Sequence, residues 1–229
     1  MKQIYPDLWE TESYSPFSGL KTHAYLLTRP DGNVLFYNTG HTSEIRSLAA
    51  RGGVARHYLS HEDELGETLN DIADIYGAEL WGHEAEAEAF AKVRSPDRYI
   101  TEKATHLGNI EVIPTPGHSA GSTCFQVHSP TGKVYLFTGD TLFLDRSNRW
   151  TAGFIKSVHS EADRRVLAQS LRVLRDLRPD VVFGSAYTGK HGFEPVTEKS
   201  WPVKVDEAIA RLLGDETHVP SKVETYAGI

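Results

Sequence analysis

The sequence predicts an α+β fold in which mixed β-sheets are covered by helices. Two observations carry this. Short apolar, β-branched and aromatic runs alternate with stretches of helical periodicity along the 229 residues. Between them lie tight turn signals, Arg29-Pro-Asp-Gly32 and Ser129-Pro-Thr-Gly132. No Pro/Gly/Ser-rich linker or low-complexity segment interrupts the alternation, so one domain over residues 1–229 is expected, long enough to bury a sizeable core.

The elements follow in order. His23–Thr28 and Asn33–Tyr37, joined by Pro-Asp-Gly, form a hairpin. Ser43 is the expected N-cap of a short helix that Gly52-Gly53 ends. Ala55–Ser60 is the next strand. Leu65, Leu69, Ile72, Ala73 and Tyr76 share one helical face, and Gly77 closes that helix. Glu79–Gly82 is a short strand, and an Ala/Glu-rich helix runs from Glu84 to about Val93. Strands are expected at Ile110–Ile113, Thr123–His128 and Lys133–Thr138. A helix capped by Ser160 presents Val166, Leu167, Leu171, Leu174 and Leu177, and Pro179 stops it before the buried strand Val181–Phe183. A last helix starts near Thr197 and runs to Leu213.

Composition narrows the function classes. An apolar content of 39% and a charged content of 24% are those of an ordinary soluble globular protein. The net charge of −7, with no dense Lys/Arg cluster, argues against a nucleic-acid partner. No apolar run approaches the ~20 residues that span a bilayer. The N-terminus lacks a basic start followed by an apolar stretch, so a cytoplasmic protein is expected. The single cysteine, Cys124, excludes a disulfide framework and a Cys-rich zinc site, and its apolar neighbours mark it as a core residue.

Four loops place polar residues just after apolar strands, where ligands gather in α/β folds. The first is His61-Glu-Asp63-Glu64: imidazole and carboxylate are good metal donors, but the same run also makes a helix entry favoured by the dipole. In Pro114-Thr-Pro-Gly-His118-Ser-Ala-Gly-Ser122, prolines and glycines fix an irregular backbone that presents one imidazole, as a ligand or as a turn residue. Phe137-Thr-Gly-Asp140 ends a strand on a carboxylate that is either a ligand or a turn cap. The fourth is Phe183-Gly-Ser185-Ala186.

Together these loops resemble the signature of the metallo-β-lactamase superfamily. Leu59-Ser-His61-Glu-Asp63-Glu64-Leu-Gly66 resembles its His-x-His-x-Asp-His-x-Gly motif, with Leu59 and Glu64 in place of histidines. Thr-Pro-Gly-His118-Ser-Ala-Gly-Ser and Thr-Gly-Asp140-Thr-Leu-Phe are similar to the third and fourth motifs. Asn38 stands where the family has an opening Asp, and Ser185 where it has a final histidine. The resemblance spans roughly residues 20–190 in the family's order. It implies a four-layer αβ/βα sandwich of two mixed sheets covered by helices.

The resemblance also implies a depleted metal site. His61, Asp63, Glu64, His118 and Asp140 remain as candidate ligands, too few for two zinc ions but enough for one divalent ion. The trade of imidazole for carboxylate favours Mn²⁺ or Fe²⁺ against Zn²⁺ relative to the family pattern. Asp63, if not a ligand, is the candidate general base. His57 and His191 are candidate replacements for the lost imidazoles, with a core role and a surface role as the alternatives. Arg146 and Arg149 either grip an anionic substrate or pair with nearby acids. Two functions follow: a hydrolase with a reduced, mononuclear site acting on an ester, thioester or phosphoester, or a metal-free, non-catalytic relative that binds a small molecule.

Overall fold

The computed structural model describes residues 1–214. Seven strands form a mixed sheet in the order Lys2–Tyr5, Leu8–Glu10, Tyr25–Leu27, Val34–Phe36, Arg56–Tyr58, Glu79–His83 and Arg98–Ile100. Six form a second, in the order Phe193–Pro195, Val181–Gly184, Val134–Gly139, Thr123–His128, Ile110–Pro114 and Ala104–His106. The two sheets face each other. Phe36 of the first stacks on Phe137 of the second with ring centroids 4.2 Å apart, and Phe125 lies 5.4 Å from Phe36.

Period-2 alternation gives the sandwich two cores. Phe125, Val127, Tyr135, Phe137, Val181 and Phe183 point between the sheets. Their neighbours Cys124, Leu136 and Val182 point the other way, into a second core. There the helices Glu161–Arg175 and Ser200–Leu213 bury Leu167, Leu171, Leu174, Trp201 and Val205. Helix Thr68–Tyr76 contributes Leu69 and Ile72 to the cores around the first sheet. Helices thus pack on a pair of mixed sheets, the expected αβ/βα arrangement. Cys124 is fully buried, and burial pushes its thiol up to about 12.

The local differences from expectation have local causes. A third, four-stranded ribbon pairs Trp150–Ala152, Leu142–Leu144, Ala186–Tyr187 and Lys21–Thr22. Its strands are two or three residues long, too short to show a period. Ser43 lies inside helix Thr42–Ser47, whose N-cap is His41. Val166 is 37% exposed, because the buried stripe runs through Leu167, Ala168, Leu171 and Leu174. The Ala/Glu-rich segment yields only a 3-10 turn, Glu84–Glu86, and one helical turn, Ala87–Phe90. Trp150 and Trp201 are buried edge to face as core anchors. Among the described residues no helix is long and apolar enough to cross a membrane.

Candidate metal centre

The four loops converge at one end of the sandwich. Ser60-His61 leaves strand Arg56–Tyr58 and enters the 3-10 turn Glu62–Glu64. The Ser60 carbonyl accepts the Thr123 amide at 2.8 Å, which joins the two sheets beside the site. Gly139 (φ 54°) lies so close that an added Cβ would collide with Ser60 Oγ, so the approach requires glycine. Gly117 (φ 124°) likewise seats the His118 loop against the backbone of Leu167.

His61, Asp63 and His118 bring one ligand atom each to within 4.8 Å of one another. His118 Nε2 is 3.5 Å from Asp63 Oδ2, and His61 Nε2 is 3.9 Å from the same oxygen. Asp140 Oδ2 lies 3.7 Å from His61 Nε2, while its Oδ1 accepts the Ala186 amide at 3.0 Å. Asp140 therefore borders the three-residue group and is held by the residue after Ser185.

The hydrogen bonds around the rings decide what these atoms can do. His118 Nδ1 contacts the Gly153 carbonyl at 2.8 Å, which can only accept, so Nδ1 carries the proton and Nε2 a lone pair. His61 Nδ1 lies 2.8 Å from Ser60 Oγ, whose hydroxyl donates to Glu64 Oε1. His61 Nε2 is buried and has no hydrogen-bond partner. The Nε2 atoms of two imidazoles and a carboxylate thus face a common point, and once deprotonated the rings offer it two lone pairs. The donor set fits one divalent metal ion. In the metal-free protein a proton takes that role. Burial pulls His61 down, but the Glu64 hydrogen bond and the charges of Asp140, Glu64 and Asp63 outweigh it and raise the ring to about 10.

Glu64 is not where a ligand would be. The 3-10 turn folds its carboxylate back onto the Ser60 amide (2.9 Å) and hydroxyl, behind His61, and it lies outside the three-residue group. It supports His61 from the rear, which is how carboxylates orient ligating imidazoles. Asn38 ties the same turn down, donating to the Glu64 carbonyl at 3.0 Å and accepting from Thr68 Oγ1. Leu59 packs into a small apolar core with Leu69, Leu80 and Phe90. His57 is buried and bonded to the Tyr37 carbonyl at 2.8 Å, away from the centre, and His191 is exposed.

One residue had no motif to mark it. His159 lies 5.5 Å from His118, ring to ring. Its Nδ1 accepts the Ile155 amide at 2.8 Å, so a neutral ring carries its proton on Nε2. The three-residue group opens into a cleft of about 880 Å³. Ser185 lines that cleft, whereas Arg146 and Arg149 do not. Arg149 is paired with Asp145 at 3.0 Å.

Residues 41–186 match the model of the metallo-beta-lactamase superfamily. The chain belongs to that superfamily. A hydroxyacylglutathione hydrolase of Brucella ovis is 37% identical over 90 residues, which cover 38% of this chain and 31% of that protein. The chain thus matches about a third of the length of that curated relative. Among solved structures, a metallo-beta-lactamase family protein of Thermus thermophilus superposes with a TM-score of 0.67 at 20% identity, covering 93% of this chain and 81% of that one. A metallo-beta-lactamase of Cronobacter sakazakii described by a HARLDQ motif has a TM-score of 0.66 at 17% identity, covering 95% and 90%. At these identities the two structures speak for the fold.

Proposed function

We propose that this superfamily member is a hydrolase with a mononuclear metal centre, acting on an ester, thioester or phosphoester. The observation that carries the reading is the convergence of His61 Nε2, His118 Nε2 and the Asp63 carboxylate, the first of them buried without a partner. His61 and His118 would hold the ion (Zn²⁺, Mn²⁺ or Fe²⁺), with Asp140 beside them and Asp63 completing the set. When bound, the ion supplies Lewis acidity, which polarises a carbonyl or phosphoryl oxygen and makes water a better nucleophile near neutral pH.

The chain's own groups divide the remaining work. The Gly153 carbonyl and the Ser60–Glu64 pair fix the two ring orientations. Asp63, 70% exposed at its side chain, is reachable by water, and if the ion is held without it, it is the candidate general base toward that water. In the metal-free protein, contact with His118 is the main cause holding its carboxyl below the usual range, so it is ionised at neutral pH. The hydroxyacylglutathione hydrolase relative makes a thioester one reasonable substrate. The buried, unpaired Cys124 fits a reducing compartment, and the reading is of a cytoplasmic enzyme.

The test is metal content by mass spectrometry on untagged protein, beside His61→Ala and His118→Ala. About one equivalent, lost in both variants, is the expected result. No metal after reconstitution with Zn²⁺, Mn²⁺ and Fe²⁺ would sink the hydrolytic reading and leave the metal-free small-molecule binder in its place.

A further inference from the structure

The cleft has two unlike halves. Four carboxylates, Asp63, Glu64, Glu67 and Asp140, belong to its lining, Asp63 and Glu67 among them exposed. Its wall and mouth are apolar and aromatic, formed by Tyr14, Phe17, Leu20, Phe143, Phe154 and Ile155. Phe17 is 65% exposed and Ile155 51% exposed, so two large apolar side chains stand in solvent on separate loops at the rim of one cavity. Among the described residues no lysine or arginine lines it. Of the two arginines the sequence offered, Arg149 is paired with Asp145, and Arg146 reaches Gly19 on the rim loop without entering the lining.

Charge and shape bear on substrate choice separately. One bound divalent cation offsets only half the charge of these four carboxylates and leaves no surplus positive charge for a second anionic group. A glutathione thioester carries two carboxylates and one ammonium, and a phosphodiester carries its charge at the reacting centre. The glutathione carboxylates find no lysine or arginine in the lining, the phosphodiester meets only the ion amid four carboxylates, and desolvating an anion there is costly. A neutral acyl chain, by contrast, meets six apolar side chains in a cavity of the size that holds drug-sized ligands.

Building on the hydrolase reading, we propose that the substrate is an uncharged ester or thioester with an extended apolar acyl chain, the chain lying along Phe17, Phe143, Phe154 and Ile155. The reaction is simple hydrolysis: the acyl carbon–oxygen or carbon–sulfur bond breaks, water supplies the new oxygen, and the alcohol or thiol leaves with a proton.

The experiment compares kcat/KM of the metal-loaded full chain on acetyl, butanoyl, hexanoyl and octanoyl thioesters of N-acetylcysteamine, which are neutral. The same acyl groups on glutathione and bis(p-nitrophenyl) phosphate are the anionic set. The expected result is a rise of up to about fourfold per methylene, the ratio to which ~0.8 kcal/mol per buried methylene converts. The neutral thioester should exceed its glutathione counterpart by at least tenfold, and Ile155→Lys, at an exposed position, should narrow that ratio. A flat chain-length series, or preference for the glutathione or phosphate compounds, would overturn the substrate assignment while leaving the hydrolase reading intact. If nothing turns over, the hydrolase reading is in trouble, and binding decides the cleft on its own. Calorimetric titration of the metal-free protein with octanamide and octanoate should then show the amide at least tenfold tighter; equal or reversed affinities would overturn the proposal.

Discussion

At the scale of single residues, His61 faces His118 and Asp63 with one ring nitrogen and is held from behind, through Ser60, by Glu64. His61, Asp63, His118 and Asp140 each follow a strand at a spacing the superfamily shares, and the structure brings them together. Glu64 occupies a motif position with a side chain able to ligate, and nothing in its residue type reveals the 3-10 turn that folds it back onto Ser60. His159 was invisible because a long stretch of chain, with no shared pattern, separates it from its neighbour His118. Glu64's position behind His61 has a measurable consequence. Glu64→Gln keeps an acceptor for the Ser60 hydroxyl but removes the charge that makes His61 a stronger donor. Metal affinity should fall ~10-fold with stoichiometry unchanged, the lower end of what outer-shell changes cost. A chelator-competition titration reads it, and an unchanged affinity would show that Glu64 does not support the ring.

Among the elements, helix Glu161–Arg175 is the platform for the His118 loop. Ser170 Oγ donates to the Pro116 carbonyl at 2.7 Å, and Gly117 rests on the Leu167 backbone. The helix was legible from its Leu stripe and from Ser160, which with Asp163 forms a reciprocal capping box. The hairpin Tyr25–Leu27/Val34–Phe36 was legible from Pro-Asp-Gly. The ribbon strands were not, since their pairing is set by distant partners such as Thr22 on Ala186. Two substitutions separate the helix's own stability from its role as a platform. Ser160→Ala loses an exposed cap and should cost ~1 kcal/mol with metal affinity unchanged. Gly117→Ala meets both a left-handed φ and the Leu167 backbone, so it should cost ~2 kcal/mol or more and also lower metal affinity, because His118 must shift with the loop. Denaturant unfolding beside metal titration distinguishes them; equal effects of the two variants on affinity would refute the platform.

For the molecule as a whole, two buried histidines of opposite character shape stability against pH. His57 is buried with its Nε2–H donated to the Tyr37 carbonyl, and burial lowers it to about 4. Unfolding returns it to an ordinary ~6.5, so the unfolded chain binds the extra proton between those values. Its contribution is present above pH ~6.5 and is lost as pH falls toward 4, a change of roughly 3 kcal/mol at ~1.4 kcal/mol per pH unit. His61 acts in the other sense in the metal-free protein. Raised to about 10 by its carboxylate neighbours, it contributes fully below ~6.5 and loses that contribution as pH climbs toward 10. These two groups together predict a metal-free stability maximum near pH 6.5. Metal should change one limb only. A divalent ion replaces the proton on His61, so its apparent affinity rises with pH, and by mass action it stabilises the folded chain most on the alkaline side. The acid limb belongs to His57 and should stay, unless His57→Gln, which keeps an N–H for Tyr37 but does not titrate, is introduced. Urea unfolding from pH 4.5 to 9 with and without one equivalent of metal therefore has a specific expected form. Metal flattens the alkaline limb, His57→Gln flattens the acid limb, and the two effects add because the rings occupy separate networks. An alkaline limb that persists in saturating metal would mean that His61 does not bind the ion.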